Sequence, residues 1–255
     1  MTPPLSSIRK ALQILQTFSA DRSELGVTEI SRLLGVHKSS ISRIIATLAS
    51  EGFLEKNPDN GRYRLGFKLL DLGNLVLGRY DLRNYAAPFM EELARRTREV
   101  IHLSILDKNQ IVYLDKKGEG QALTVGTKIG GRNPAHASSM GKVLLSGLPP
   151  HELKEALSME PLAASTPFTI TKVPALLIEL EKVKRQGFAL DNEESFPGIR
   201  CVAAPLYDRT GKMVAALSVT APRQRMSQER LKEIREMVVG TARSISRRIG
   251  MAEAK

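Results

Sequence analysis

Cysteine is almost absent: Cys201 is the one cysteine in 255 residues. A single thiol excludes an internal disulfide framework and a cysteine-based zinc site. Long apolar runs are missing too. No stretch approaches the length that spans a bilayer, and "MTPPLSSIRK" lacks the apolar core of a signal peptide, so a cytoplasmic chain with no membrane partner is expected. The four histidines, at 37, 102, 136 and 151, have no metal-ligand spacing, and "GKVLLS" lacks the upstream glycine of a phosphate-binding loop. No metal and no cofactor is expected. Internal repeats and low-complexity segments are absent as well.

What is present is the balance of a globular protein, with 42% apolar and 25% charged residues. The length suits two domains. Basic residues exceed acidic ones by 11, which favours a polyanionic partner such as nucleic acid. That excess does not locate a site, because residues 1–80 hold only +4 of it.

Apolar spacing predicts three helices near the start. Residues 7–20 place Ile8, Ala11, Leu12, Leu15 and Phe18 on one face. Residues 28–35 follow with Ile30, Leu33 and Leu34, with Thr28 as the expected cap, Glu29 in the first turn and Gly35 as the stop. Residues 38–51 carry Ile41, Ile44, Ile45 and Leu48 inward. The period then changes: "FLEK" and "RYRL" flank a turn at Asn57–Gly61, which reads as a β-hairpin. Three helices with a tight break after the second, then a hairpin, outline a winged helix-turn-helix. Packing the second helix across the third requires Ile30, Leu34, Val36, Ile41 and Ile44 to interlock, with Ser31 small at the approach.

In that arrangement the third helix enters the major groove by its N-terminal end. Lys38, Ser39, Ser40, Ser42 and Arg43 crowd that end. Arg43 suits bidentate pairing with guanine, and the serines suit bases or phosphates. Arg62 or Arg64 on the hairpin would reach flanking phosphate or the minor groove. The plainer reading of "KSSISR" is a solvated helix start; the helix register and hairpin behind it favour DNA.

Residues 67–80 predict a strongly apolar connecting helix, packed against a second subunit. Beyond it strands and helices mix. A helix over 81–99 precedes a hairpin of "VIHLSIL" and "QIVYLDKK"; "ALTV" is a short strand; 127–136 is a loop; helices cover 137–146, 173–187 and 227–249. The pattern predicts an α+β domain with an antiparallel sheet. The expected division is 1–66 winged helix-turn-helix, 67–82 linker helix, and 83–255 effector-binding and oligomerisation domain.

Two strands in that domain carry chemistry. Period 2 puts Ser218 and Thr220 on one face of "KMVAALSVTA", and Cys201 shares a face with Ala203 in "IRCVAAPL". A hairpin with a two-residue loop (Thr210-Gly211) or a four-residue loop (208–211) sets Cys201 across from Ser218 or Thr220. A thiol and two hydroxyls then converge among small side chains, with Asp191-Asn192-Glu193-Glu194 at the rim. A helix starting near Ala137 would offer the backbone N–H groups of Ser138, Ser139 and Met140 to an anionic group such as a carboxylate. The alternative is an ordinary sheet core with satisfied hydroxyls. Cys201 with His102 or His136 as nucleophile and base is the weaker reading, because cysteine in an apolar strand is usually inert. No enzyme is expected.

Taken together, "ALQILQTFS", "LGVTEISRLLGVHKSSISRIIATLASEGFLE", "YRLGFKLLDLG", "PAHASSMGKVLLS" and "DNEESFPGIRCVAAPLYDRTGKMVAALSVTAP" resemble the IclR family of bacterial transcriptional regulators nearly end to end. The resemblance implies a winged helix-turn-helix, a linker helix and an α+β effector domain. It also implies homodimers that often pair into tetramers, double-stranded operator DNA as partner, and a small organic effector that changes DNA affinity. Family effector sites map onto Ser139 and Met140 of the backbone-donating loop, Asp191, Cys201, Ser218 and Thr220, with Val125 at an apolar wall. Many members carry Gly-Ala or Thr-Ala where this chain has the bulkier Ser139-Met140. Arg132 and the loop donors lean toward a carboxylate effector. Two other functions stay open: a ligand-independent dimerising DNA-binding adaptor, and an enzyme domain fused to a DNA-binding module.

Overall fold

The computed structural model describes residues 5–78, 81–118 and 127–252, and the chain divides into two compact units, Met1–Arg79 and Tyr80–Lys255.

The first unit contains helices α1 (Ser6–Gln16), α2 (Val27–Leu34) and α3 (Lys38–Ser50), a hairpin of β1 (Leu54–Lys56) and β2 (Tyr63–Leu65), and helix α4 (Lys68–Gly78). The hairpin is antiparallel, with Glu55 opposite Arg64. Its core is Ile14, Leu25, Ile30, Ile41, Ile45 and Leu54, all fully buried. Leu34, Val36 and Ile44 pack against it from the side. Gly35 ends α2 with φ 63°, a conformation that costs glycine little. Across that turn the Ser31 hydroxyl donates to the Val36 carbonyl at 2.7 Å.

Two expectations for this unit fail in detail. Thr28 does not cap α2: the cap is Gly26, whose N–H donates to the Glu29 carboxylate at 2.7 Å, and Thr28 stands exposed one residue inside. The apolar face of α1 is as expected only in part: Leu15 and Phe18 pack against the core, but its first half is rotated. Ile14 is the buried residue, while Ile8 and Leu12 are 56% and 55% exposed. The helix carries two apolar stripes, and the core takes only one. In α4 no residue is buried, and Leu70, Leu75 and Val76 are all more than half exposed.

The second unit is built on a six-stranded antiparallel sheet in the order β5-β4-β3-β8-β7-β6. Its strands are β3 (Val100–Asp107), β4 (Gln110–Lys117), β5 (Arg132–Pro134), β6 (Ala189–Asn192), β7 (Ile199–Tyr207) and β8 (Met213–Pro222). Helices α5 (Leu82–Thr97) and α9 (Gln228–Ala252) contact the sheet and each other; α6 (Ser139–Ser146) contacts the sheet and packs on α8 (Val173–Gln186). Helix α7 (Pro150–Ser158) completes the unit and has no counterpart in the sequence reading. Strands β5 and β6, of three and four residues, are likewise new; they are too short to show alternation. The "ALTV" segment lies outside the described residues.

Register decides which side chains meet. Cys201 is paired with Thr220, and Ala203 with Ser218. The connecting turn is neither of the two expected loops. It runs over 208–212, held by Asp208 Oδ1, which accepts from the Thr210 and Lys212 N–H groups at 2.8 and 3.0 Å. Tyr207 opposite Met213 sets the other parity, and a bulge between Leu206 and Tyr207 restores the one that faces Cys201 to Thr220.

Candidate functional site

Two surfaces hold the sequence-selected residues, one in each unit. On α3, Lys38, Ser39, Ser42 and Arg43 are exposed and Ser40 is half-buried. Lys38 and Arg43 make no ion pair among the described residues. The Ser39 hydroxyl lies 3.0 Å from His37 Nδ1. Arg62 differs: its guanidinium bonds Glu29 at 2.8 Å and the Glu24 carbonyl at 3.1 Å, tying the hairpin to α2 and the segment before it. Arg64 pairs with Glu55 across the hairpin at 3.0 Å.

In the second unit, α6 packs its start over the sheet. Ser138 caps it, its hydroxyl accepting from the Gly141 N–H at 3.1 Å. The helix therefore begins at Ser139, not near Ala137, and Ser138 is cap rather than open donor; its own N–H points to the Ala135 carbonyl at 3.4 Å. Ser139 and Met140, the first helical positions, have no intrahelical acceptor for their N–H groups. Gly141 has no alternative, since a Cβ there would sit 2.0 Å from the Ala135 carbonyl oxygen.

Asp191, Cys201 and Thr220 form one row across β6, β7 and β8, and Ala203, Ser218 and His102 form the next row across β7, β8 and β3. The Asp191 carboxylate accepts from the Glu194 N–H at 2.7 Å, the Ser195 N–H at 3.3 Å and the Ser195 hydroxyl. Burial outweighs these donors and raises its pKa to about 6. The Thr220 hydroxyl lies 3.3 Å from both Cys201 Sγ and His102 Nδ1. Burial, and then the Asp191 charge, push the Cys201 thiol well up, which favours its protonated form. Burial, with Lys116 nearby, lowers His102 to about 3 and keeps its imidazole neutral. Its Nε2 lies 2.9 Å from the Thr127 hydroxyl, and its ring is 5.1 Å from that of Tyr113.

These groups line a cavity of about 20 Å³, room for about one water. Ser139, Met140, Asp191, Cys201, Ser218 and Thr220 all line it, so the fold brings six of the seven selected residues together; Val125 lies outside the described residues. Ser218 Oγ is fully buried and has no hydrogen-bond partner among the described residues. Of the expected acidic rim only Asp191 lines the cavity. Glu193 turns to Arg223 at 3.1 Å, and Glu194 to Lys142 at 2.6 Å. His102, expected only as a base for Cys201, also lines the cavity, and so do Tyr113, Thr127, Asn133 and Ser195, which the sequence did not single out. The signal for His102 was its alternation with Ser104 in "VIHLSIL", which puts it on the face that meets Ser218. Among the described residues no acidic, histidine or cysteine cluster fits a metal ion, and no helix is long and apolar enough to cross a membrane.

A winged helix-turn-helix followed in the chain by an α+β unit defines a DNA-binding regulator by fold. Comparison with known proteins makes this specific. Residues 7–58 match the IclR helix-turn-helix domain, and residues 74–247 match the bacterial transcriptional regulator IclR C-terminal domain. The chain belongs to the IclR family of bacterial transcriptional regulators. It is 38% identical over 248 residues to the HTH-type transcriptional regulator XynR of Escherichia coli, covering 97% of this chain and 98% of XynR. It is 39% identical over 246 residues to KdgR of the same organism, covering 96% and 93%. An IclR homologue from Microbacterium hydrocarbonoxydans, solved with 4-hydroxybenzoate, superposes with a TM-score of 0.84 at 28% identity, covering 98% of this chain and all of that one.

Proposed function

We propose that this regulator binds double-stranded operator DNA through α3, in the cytoplasm, and that a small organic acid in the second unit's cavity sets its operator affinity. Lys38, Ser39, Ser40, Ser42 and Arg43, with Thr28 beside them, face the DNA; Arg62 positions the hairpin. Residues 1–66 are the DNA-binding domain, 67–82 the linker and 83–255 the effector-binding and oligomerisation domain.

The observation that carries the effector half is Ser218. A buried hydroxyl without a partner costs stability unless something supplies the missing bond. It shares its cavity with Ser139 and Met140, the first residues of α6, and a helix start favours an anion. Thr220, Cys201 and Asp191 complete the polar wall, and Val125 is assigned to the apolar one. The homologue solved with a carboxylate supports the same ligand class. The thiol held protonated argues against an enzyme. The uncovered apolar residues of α1 and α4 favour a homodimer, or a dimer of dimers, over a monomer.

The test is a thermal-shift screen of the full chain against small carboxylates and their neutral analogues. A ligand that binds only the folded state raises its stability. Stabilisation by an acid, lost in Ser218→Ala/Thr220→Ala while operator binding persists, is the expected result. An acid response that survives both substitutions removes the cavity from the account.

A further inference from the structure

The proposed acid site leaves open what sets the size of the acid, and the inference here rests on that reading of the cavity. Space for about one water is too little for even a three-carbon acid. Among the described residues, some wall has to yield. The sheet side is fixed: Cys201, Ser218 and Thr220 sit on paired strands, and Asp191 is held by three donors. His102 is wedged between the Thr127 and Thr220 hydroxyls, with Tyr113 beside its ring. Phe196, 41% exposed, stands at the rim, so its movement widens the mouth and not the floor.

Met140 is different. Its side chain is buried, packs in the cluster that holds Tyr113, Ala203 and Ala216, and lines the cavity. One polar bond pins it: the buried Ser104 hydroxyl donates to Met140 Sδ at 3.1 Å. A thioether is a weak acceptor, and methionine is unbranched with three rotatable bonds. Ser104 is paired with Ala216, so small neighbours lie beside the thioether.

We infer that Met140 is a displaceable stopper, pinned by Ser104, that occupies the space an acid's carbon skeleton takes and sets the largest acid the site admits. Flexible aliphatic acids enter by moving the thioether aside. A rigid aromatic ring needs more of that volume than Met140 can yield.

The test is isothermal titration calorimetry on the full chain with acetate, pyruvate, gluconate, benzoate and 4-hydroxybenzoate. Met140→Ala is expected to raise affinity for the aromatic acids at least about tenfold relative to the best aliphatic acid, the scale on which a few buried carbons discriminate ligands. Met140→Leu keeps the volume and is expected to keep the wild-type preference. Ser104→Ala unpins the stopper and is expected to tighten the best aliphatic acid about threefold, as loss of one weak hydrogen bond allows. An aromatic-to-aliphatic ratio within twofold of wild type in Met140→Ala, or Met140→Leu behaving like Met140→Ala, overturns the stopper. If Met140→Ala gives no cooperative melt, Ser104→Ala decides alone, and unchanged affinity overturns it. The cavity reading fails separately: acids that bind undiminished to Ser218→Ala/Thr220→Ala lie elsewhere, and no binding to wild type or Met140→Ala overturns both.

Discussion

Lys142 should be the most costly charged residue in the second unit to replace. It lies on α6 and is 1% exposed, among the largest fully buried side chains. Its ammonium is 2.6 Å from Glu194 Oε1 and 3.6 Å from Glu179. Glu194 is 7% exposed, and its other carboxylate oxygen has no partner among the described residues. Lys142→Met removes the cation and strands a carboxylate that water does not reach. Breaking a buried pair from one side costs about 3–5 kcal/mol. Glu179 is partly spared, since it also reaches Lys182 at 3.5 Å. For a unit of this size the loss lowers Tm by about 10 °C. Adding Glu194→Gln removes the stranded charge and should restore stability to within about 1 kcal/mol of wild type. The chain has no tryptophan, so urea and thermal unfolding are followed by far-UV circular dichroism. Lys142→Met within about 1 kcal/mol of wild type, or a double variant no better than the single one, refutes the reasoning.

The pH dependence has two opposed parts. Asp191, raised to about 6, keeps its proton in the folded chain where the unfolded chain, near 3.9, has lost it. The folded state then binds more protons, so stability falls as pH rises from about 4 to 6, by about 2–3 kcal/mol. His102, lowered to about 3, stays neutral in the folded chain, so stability falls as pH drops from about 6.5 toward 3. Asp191→Asn should steepen the acid loss and His102→Gln should flatten it; melts from pH 4 to 7 that superpose on wild type contradict these signs. On the DNA side, Arg43→Ala should weaken operator binding by about 1–3 kcal/mol and random DNA much less, measured by competition binding. Equal loss on all DNA makes Arg43 a phosphate contact. Arg62→Ala should cost under about 1 kcal/mol of stability by thermal melt, as a half-exposed ion pair does, and change the salt dependence of DNA binding little. A salt slope reduced by about one marks a phosphate contact instead.

Element types in the first unit were legible because helix and strand periods differ sharply around Gly52. The buried face of α1 was legible only in Leu15 and Phe18, because Leu5, Ile8 and Leu12 make a second stripe as apolar as the one the core uses. Alternation alone put Ser218 and Thr220 on one face. The loop length behind their pairing with Cys201 was wrong, and the bulge at Leu206 corrected the parity by an irregularity that no pattern announces. His102 was legible only as a base for Cys201 and not as a wall of the cavity, because its partner Thr220 is 118 residues away. Lys142 and Glu194, 52 residues apart, are an ordinary lysine and glutamate until α6 is buried on every side.

The most direct test of the account is a fluorescence-anisotropy titration of the full chain. The DNA is selected from a random library, and the acid is the one giving the largest thermal shift. This acid should change the Kd by about 5- to 150-fold, the usual span of coupling between sites. The change should vanish in Ser218→Ala/Thr220→Ala, while the acid-free Kd stays as in wild type. An identical Kd with and without the acid contradicts this.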